Sequence, residues 1–153
     1  MQIVISTENF VQDSVLLIRA ICSSGITDPI SATRSGDSQF VLTAYPTRTV
    51  QYPHLVINQG NITTRRLGIA SESEYATIPF SVRCWARNSR EKDSLAQQVV
   101  NTLRDRQLGG GSGTIDNGLF GIKGLSAVDI VENIQQGPHS KVIQIQYSCI
   151  LQN

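Results

Sequence analysis

A chain of 153 residues is long enough to bury roughly 70% of its unfolded surface in one unstapled core, so a single domain spanning 1–153 is expected. Thirteen Lys and Arg against twelve Asp and Glu leave a net charge of +1, too weak a field to hold nucleic acid or an anionic membrane by charge alone. The 40% hydrophobic and 16% charged content argues against disorder and, being poor in charge, points to surface covered by other subunits.

The start, Met1-Gln-Ile-Val-Ile-Ser, lacks a basic n-region, and the apolar run Val15 to Ile21 is interrupted by Arg19 and far short of the roughly 20 residues of a membrane span. Neither export nor membrane insertion is expected. Phe10, Val11, Ser14, Leu17, Ile18, Ile21 and Cys22 recur on one stripe, predicting a helix from about Glu8 to Ser24, with Ser6 or Thr7 as cap and Gly25 as stop. Asp28-Pro29, Arg34 and Gly36 offer turns without an apolar period, so 27–39 is expected to be an exposed loop.

Phe40 to Ala44 and His54 to Asn58 are short β-prone runs, each neighboured by a proline that marks a strand start or an edge. Gln59-Gly60-Asn61 supplies turn chemistry before Ile62 to Leu67. The clearest strand follows: Ala76, Ile78, Phe80, Val82, Cys84 and Ala86 share one face, and Tyr75, Thr77, Ser81, Arg83 and Trp85 the other. The second face carries the single Trp and is open to water or a neighbouring chain.

Asn88 can cap a helix from Ser89 to about Gln107, with Glu91 placed to reach back. Its stripe is Leu95, Ala96, Val99, Val100 and Leu103, with Arg104 and Arg106 at the negative end. Gly109-Gly110-Gly111-Ser112-Gly113 stops it, and 108–117 reads as a flexible loop. Leu119 to Lys123 reads as a short strand and Ser126 to Ile134 is ambiguous. In Lys141 to Leu151 apolar and polar residues alternate as in a half-buried antiparallel strand. The order predicts an α+β fold: a mostly antiparallel sheet with two main helices packed on one face.

Chemistry-bearing patterns are sparse. Cys22, Cys84 and Cys149 are an odd, widely spaced set without Cys-x-x-Cys, which fits a reduced, cytosolic folding environment better than a disulfide framework or a zinc site. The two histidines, His54 and His139, sit in no catalytic signature; the first reads as structural or surface, the second as part of a turn. Glu72 and Glu74 read as a solvated loop, and the glycine run follows a helix where a phosphate cradle would precede one. Asn61-Ile62-Thr63 matches a glycosylation acceptor, a coincidence without export. No catalytic residue, cofactor or metal is expected. Ten Arg against three Lys favour bidentate pairing, at subunit contacts or in ordinary surface ion pairs.

Tyr52-Pro53-His54-Leu55-Val56-Ile57, then a turn and a paired strand, then Ile78-Pro79-Phe80-Ser81-Val82-Arg83-Cys84-Trp85-Ala86 running into Asn88-Ser89-Arg90-Glu91-Lys92-Asp93-Ser94-Leu95-Ala96, resembles the tail-terminator and tail-completion (neck) proteins of long-tailed bacteriophages. The similarity covers the order of elements from Phe10 to Leu151. It implies a tail-terminator-like fold and a structural virion protein that is not an enzyme, assembled in the host cytoplasm and located in the tail or neck. The implied subunit forms a ring, hexameric in that family, that caps the tail tube and provides the head–tail joining surface.

The implied partners are further copies of the chain, the tail tube protein, a head-completion or connector protein, and genomic DNA passing through the lumen without specific binding; no membrane is involved. A closed ring needs heterologous contacts, each burying on the order of 1,200–2,000 Å². Candidate inter-subunit contacts are Arg34, Arg65, Arg66, Arg83, Trp85 and Arg87, with the loops 27–39 and 108–117 ordering on neighbours. The residues leave open another neck or head-completion ring, and a small cytosolic enzyme or ligand-binding module. The glycine-rich loop and the long apolar segment after Leu119 depart from the family's simpler pattern.

Overall fold

A computed structural model describes residues 9–34, 39–44, 51–70, 73–107, 119–129 and 139–151. The elements run α1 (Phe10–Gly25), β1 (Val41–Leu42), β2 (His54–Gln59), β3 (Thr63–Arg66), β4 (Glu74–Ala86), α2 (Ser89–Gln107), β5 (Leu119–Asp129) and β6 (His139–Leu151). The sheet order is β1-β2-β4-β6-β5, with β3 also paired to β4. Every pairing is antiparallel except β1 with β2, so the fold is α+β with a mostly antiparallel sheet.

Period-two alternation along β4 decides which side is core: Ala76, Ile78, Phe80, Val82, Cys84 and Ala86 are buried while the residues between them are half-buried. Leu55 and Ile57 of β2 and Ile143 and Ile145 of β6 lie in register with that buried set. Against it pack Leu17, Ile18, Ile21 and Cys22 of α1 and Leu95, Ala96, Val99 and Leu103 of α2 in one cluster. Both helices therefore cover the same face of the sheet. Burial of whole aliphatic side chains, each contributing roughly 1.5–3 kcal/mol, makes that layer the main source of stability.

Val11, expected on the α1 stripe, is 45% exposed, because the buried stripe begins one turn later at Ser14. The helix starts at Phe10 with Asn9 in the cap position and without a side-chain cap bond; Ser6 and Thr7 lie outside the described residues. Gly25 is the last helical residue, and Ile26, which follows in extended conformation, donates its N–H to the Cys22 carbonyl.

Gly25 is also where the helices come closest. A Cβ there would overlap Thr102 Cγ2 of α2 and lie 2.8 Å from its Oγ1. The Thr102 hydroxyl sits 3.3 Å from the Gly25 carbonyl. Gly25→Ala is therefore expected to lose about 1–3 kcal/mol through overpacking, despite the better helix propensity of alanine. Urea unfolding of Gly25→Ala and of Gly25→Ala with Thr102→Ser checks this, the second change relieving part of the loss; a neutral or stabilising Gly25→Ala refutes it.

Three sequence expectations are corrected. The Gln59-Gly60-Asn61 turn does not fold β3 back onto β2, because both strands pair with β4 along different stretches, His54–Gln59 against Phe80–Trp85 and Thr63–Arg66 against Glu74–Thr77. It is a jog, and Pro79, which cannot donate to a ladder, sits opposite it. There Gly60 N–H donates to the Pro79 carbonyl at 2.8 Å, and a Cβ on Gly60 would come within 2.8 Å of Pro79 Cγ. His139 is the first residue of β6 rather than part of a turn, paired with Ala86. β5 is a strand of 11 residues reaching Asp129, twice as long as expected. Its register shifts between Leu119 and Ile122 and again between Lys123 and Ser126, and such irregularities hide a period of two in the sequence.

The α2 cap follows the sequence with one change. Asn88 Oδ1 accepts the Glu91 N–H at 2.9 Å as expected. The Glu91 carboxylate reaches past Asn88 to the backbone N–H of Arg87 at 3.0 Å, drawn there by the Arg87 guanidinium, which it meets at 2.6 Å.

Candidate functional site

The face of the sheet turned away from the helices carries Val56 and Asn58 of β2, Thr77, Pro79, Ser81, Arg83 and Trp85 of β4, and Val142, Gln144 and Gln146 of β6. Val56 and Val142 flank Arg83, with Val56 fully buried, and Asn58, Ser81, Gln144 and Gln146 beyond them are polar and uncharged. A shallow hollow of about 340 Å³ there is lined by Gly60, Pro79, Phe80, Ser81, Ser126, Gln144, Ile145 and Gln146. Hydroxyls and amides can exchange hydrogen bonds with water or with a second protein surface, and such a lining supplies neither a nucleophile with its base nor a cluster of titratable groups.

One end of this face is aromatic and cationic. His54 and Trp85 sit directly opposite each other on β2 and β4, with ring centroids 6.4 Å apart and planes 20° from parallel. Tyr52 also stacks on His54, with ring centroids 5.1 Å apart, across a cis Tyr52–Pro53 peptide bond. The Arg83 guanidinium lies 4.2 Å from the Trp85 ring centroid, a cation–π geometry, and donates to Ser140 Oγ at 3.2 Å. The structure thus joins two of the six proposed contact residues, Arg83 and Trp85. His54 and Tyr52 were missing from that set; the alternation His54, Val56, Asn58 places His54 on the same face as Trp85 and was the available signal.

His54 is buried, and its Nδ1 has no hydrogen-bond partner among the described residues. Burial pushes its pKa down to about 4; the Gln51 backbone opposes that shift, and the nearby Arg34 charge adds to it. The ring is neutral at pH 7 and stacks on both Tyr52 and Trp85.

The other four arginines serve different ends. Arg34 faces inward: its side chain is 6% exposed, and its Nε meets Asp28 Oδ2 at 2.5 Å while its Nη2 donates to Asp28 Oδ1 at 3.0 Å. It also donates to the carbonyls of Gln51, at 3.0 Å, and of Pro53, with Phe40 beneath the guanidinium at 5.4 Å. The Arg34 hydrogen bond holds the Asp28 carboxyl below its usual range. So 27–34, expected to order on a neighbour, is already tied down within the chain; 35–38 and 108–117 lie outside the described residues.

Arg87 is half-exposed and spent on Glu91, whose carboxyl it lowers in turn. Arg65 and Arg66 stand fully out on β3, and neither has an ion-pair partner among the described residues. Cys22 and Cys84 are buried, and burial pushes both thiols up to about 12, leaving them unreactive at neutral pH. No group of three His, Cys, Asp or Glu fit to hold a metal ion occurs among the described residues, and no helix among them is long and apolar enough to cross a membrane. No protein-family model and no curated protein matches this chain.

Proposed function

We propose that this chain is a structural virion protein of a long-tailed bacteriophage, a tail terminator whose copies close into a ring, hexameric in the family it resembles, on the head-proximal end of the tail tube. The ring stops tube growth and offers a joining surface to a head-completion or connector protein. It is put together in the host cytoplasm and ends in the neck of the virion. One observation carries this reading: both helices lie on one face of the sheet, and among the described residues the middle of the other face offers hydroxyls and amides at Asn58, Ser81, Gln144 and Gln146. A face of that kind suits contact between proteins. Among its described residues no cluster of titratable groups of the kind a catalytic site uses occurs on it. A lining made of its uncharged middle would let DNA pass without the salt-dependent grip of phosphate contacts.

The test is direct. Negative-stain imaging and light scattering of the purified chain are expected to show rings or a concentration-dependent assembly. Loss of the gene is expected to leave tails of uncontrolled length that fail to join heads. Monomers at every concentration together with normal joined tails after gene loss would refute the proposal.

A further inference from the structure

Arg19 and Ser23 lie one turn apart on α1, and Ile26 follows at the helix exit, so the three share one side. That side meets Gln39, Phe40 and Val41, which lead into β1, and Asp28 in the turn after the helix, and between them lies a hollow of about 450 Å³. Ile26 and Val41 are 4% and 5% exposed and belong to the core, with Phe40 half-buried against it, so the floor is apolar. An apolar floor with a few polar groups at its edge is the usual form of a small-ligand site.

Charge decides which ligand fits. Asp28 is fully engaged: its carboxylate accepts from Arg34 Nε at 2.5 Å, from Arg34 Nη2 at 3.0 Å and from the Ile30 N–H at 3.0 Å. Arg19 is not neutralised in the same way. Its Nη2 donates to the neutral amide oxygen of Gln39 at 3.1 Å, and it forms no ion pair among the described residues. The guanidinium is a planar fork of five N–H donors that matches a carboxylate, so the Gln39 bond leaves donors for a second acceptor, and the Ser23 hydroxyl adds another. The carbonyls at the α1 C-terminus carry partial negative charge, which places an anion at the Arg19 end and an apolar group over Ile26. One uncompensated cation beside Asp28 suits a singly charged group better than a phosphate. A peptide terminus would bring its own N–H beside the carboxylate, where the Asp28 and Gln39 oxygens are already bonded; a free acid asks only for donors.

We infer that this hollow binds a small free monocarboxylic acid with a short apolar body. Its carboxylate pairs with Arg19 and accepts from the Ser23 hydroxyl, and its body lies on Ile26, Phe40 and Val41. The site is independent of the ring reading, which stands or falls on assembly.

The full chain is titrated with hexanoate, hexan-1-ol, hexylamine and a hexapeptide ending in leucine with a free carboxylate, and the amide shifts of residues 19–28 and 39–41 are followed by NMR. Hexanoate is expected to give saturable shifts confined to those residues. The alcohol and the amine are expected to bind about tenfold more weakly or worse, the loss of one charge-assisted contact. Arg19→Gln is expected to weaken hexanoate by about the same factor. Ser23→Glu, which sets a carboxylate one turn from Arg19, is expected to do likewise. Thermal melting checks that both variants fold, and if Arg19→Gln does not, Ser23→Glu alone supplies the comparison. Absence of saturable shifts with hexanoate overturns the inference. So does equal binding of hexanoate by a folded variant or of hexan-1-ol by wild type. Tighter binding of the hexapeptide than of hexanoate also overturns it, by making the ligand a chain terminus.

Discussion

Replacing Arg34 with alanine is expected to destabilise the isolated monomer by about 3–5 kcal/mol, the range found when one member of a buried ion pair is removed. The loss is large because four acceptors depend on one guanidinium: both oxygens of Asp28 and the carbonyls of Gln51 and Pro53. Among the described residues, the Asp28 carboxylate would keep only the Ile30 N–H, at 3.0 Å. The turn entering β2 would also lose its tie to 27–34. A residue serving mainly as a contact with another subunit behaves differently, leaving monomer stability nearly unchanged and weakening assembly. Urea unfolding at concentrations where the chain is monomeric separates the two. Arg65→Ala, on the exposed face of β3, is the control and should stay within about 0.5 kcal/mol of wild type. If Arg34→Ala unfolds at the same midpoint as wild type, the clamp has been misread.

Arg34 also shows where sequence reading stops. Its neighbours Asp28-Pro29 and Gly36 read as an open loop, because no local period marks a segment held by one long side chain reaching residues 17 and 19 positions away. The long regular elements behave oppositely. β4 and α2 were legible to within a residue or two, since each buries one face by a fixed period and that period is written locally. The Asn88 cap was legible for the same reason, its partner lying three residues away.

Pairing partners were harder to read. A glycine between two β-prone runs signals a hairpin, and only the presence of β4 as a shared partner turns Gly60 into a jog. Of the proposed contact set, Arg83 and Trp85 were correctly placed on the face away from the core because alternation fixes the side of a strand. Whether an arginine is free, stacked or clamped depends on residues distant in sequence. The stack of Tyr52, His54 and Trp85 needed the register of β2 on β4, which alternation does not contain.

That stack gives the second large effect, a loss of stability in mild acid. His54 has a folded pKa of about 4 against an ordinary value of 6.5, so between those values the unfolded chain takes up a proton that the native chain refuses. Its contribution is complete above about pH 6.5 and falls steadily as pH drops toward 4, by about 3 kcal/mol in all at 1.36 kcal/mol per unit. Asp28 acts in a lower window. Its carboxyl is held below 3.8 chiefly by the Arg34 hydrogen bond, so its contribution is present above that value and is lost only as pH falls through the folded pKa. The two groups are therefore separable. Urea midpoints measured from pH 7.5 to 4.5 should fall for wild type and stay nearly flat for His54→Gln, whose side chain cannot titrate. Wild type and variant should then decline together below about pH 3.8, where Asp28 of the unfolded chain takes up a proton that the clamped native carboxylate refuses. The same acid slope in His54→Gln as in wild type would assign the effect to another group and return His54 to the status of an ordinary surface imidazole.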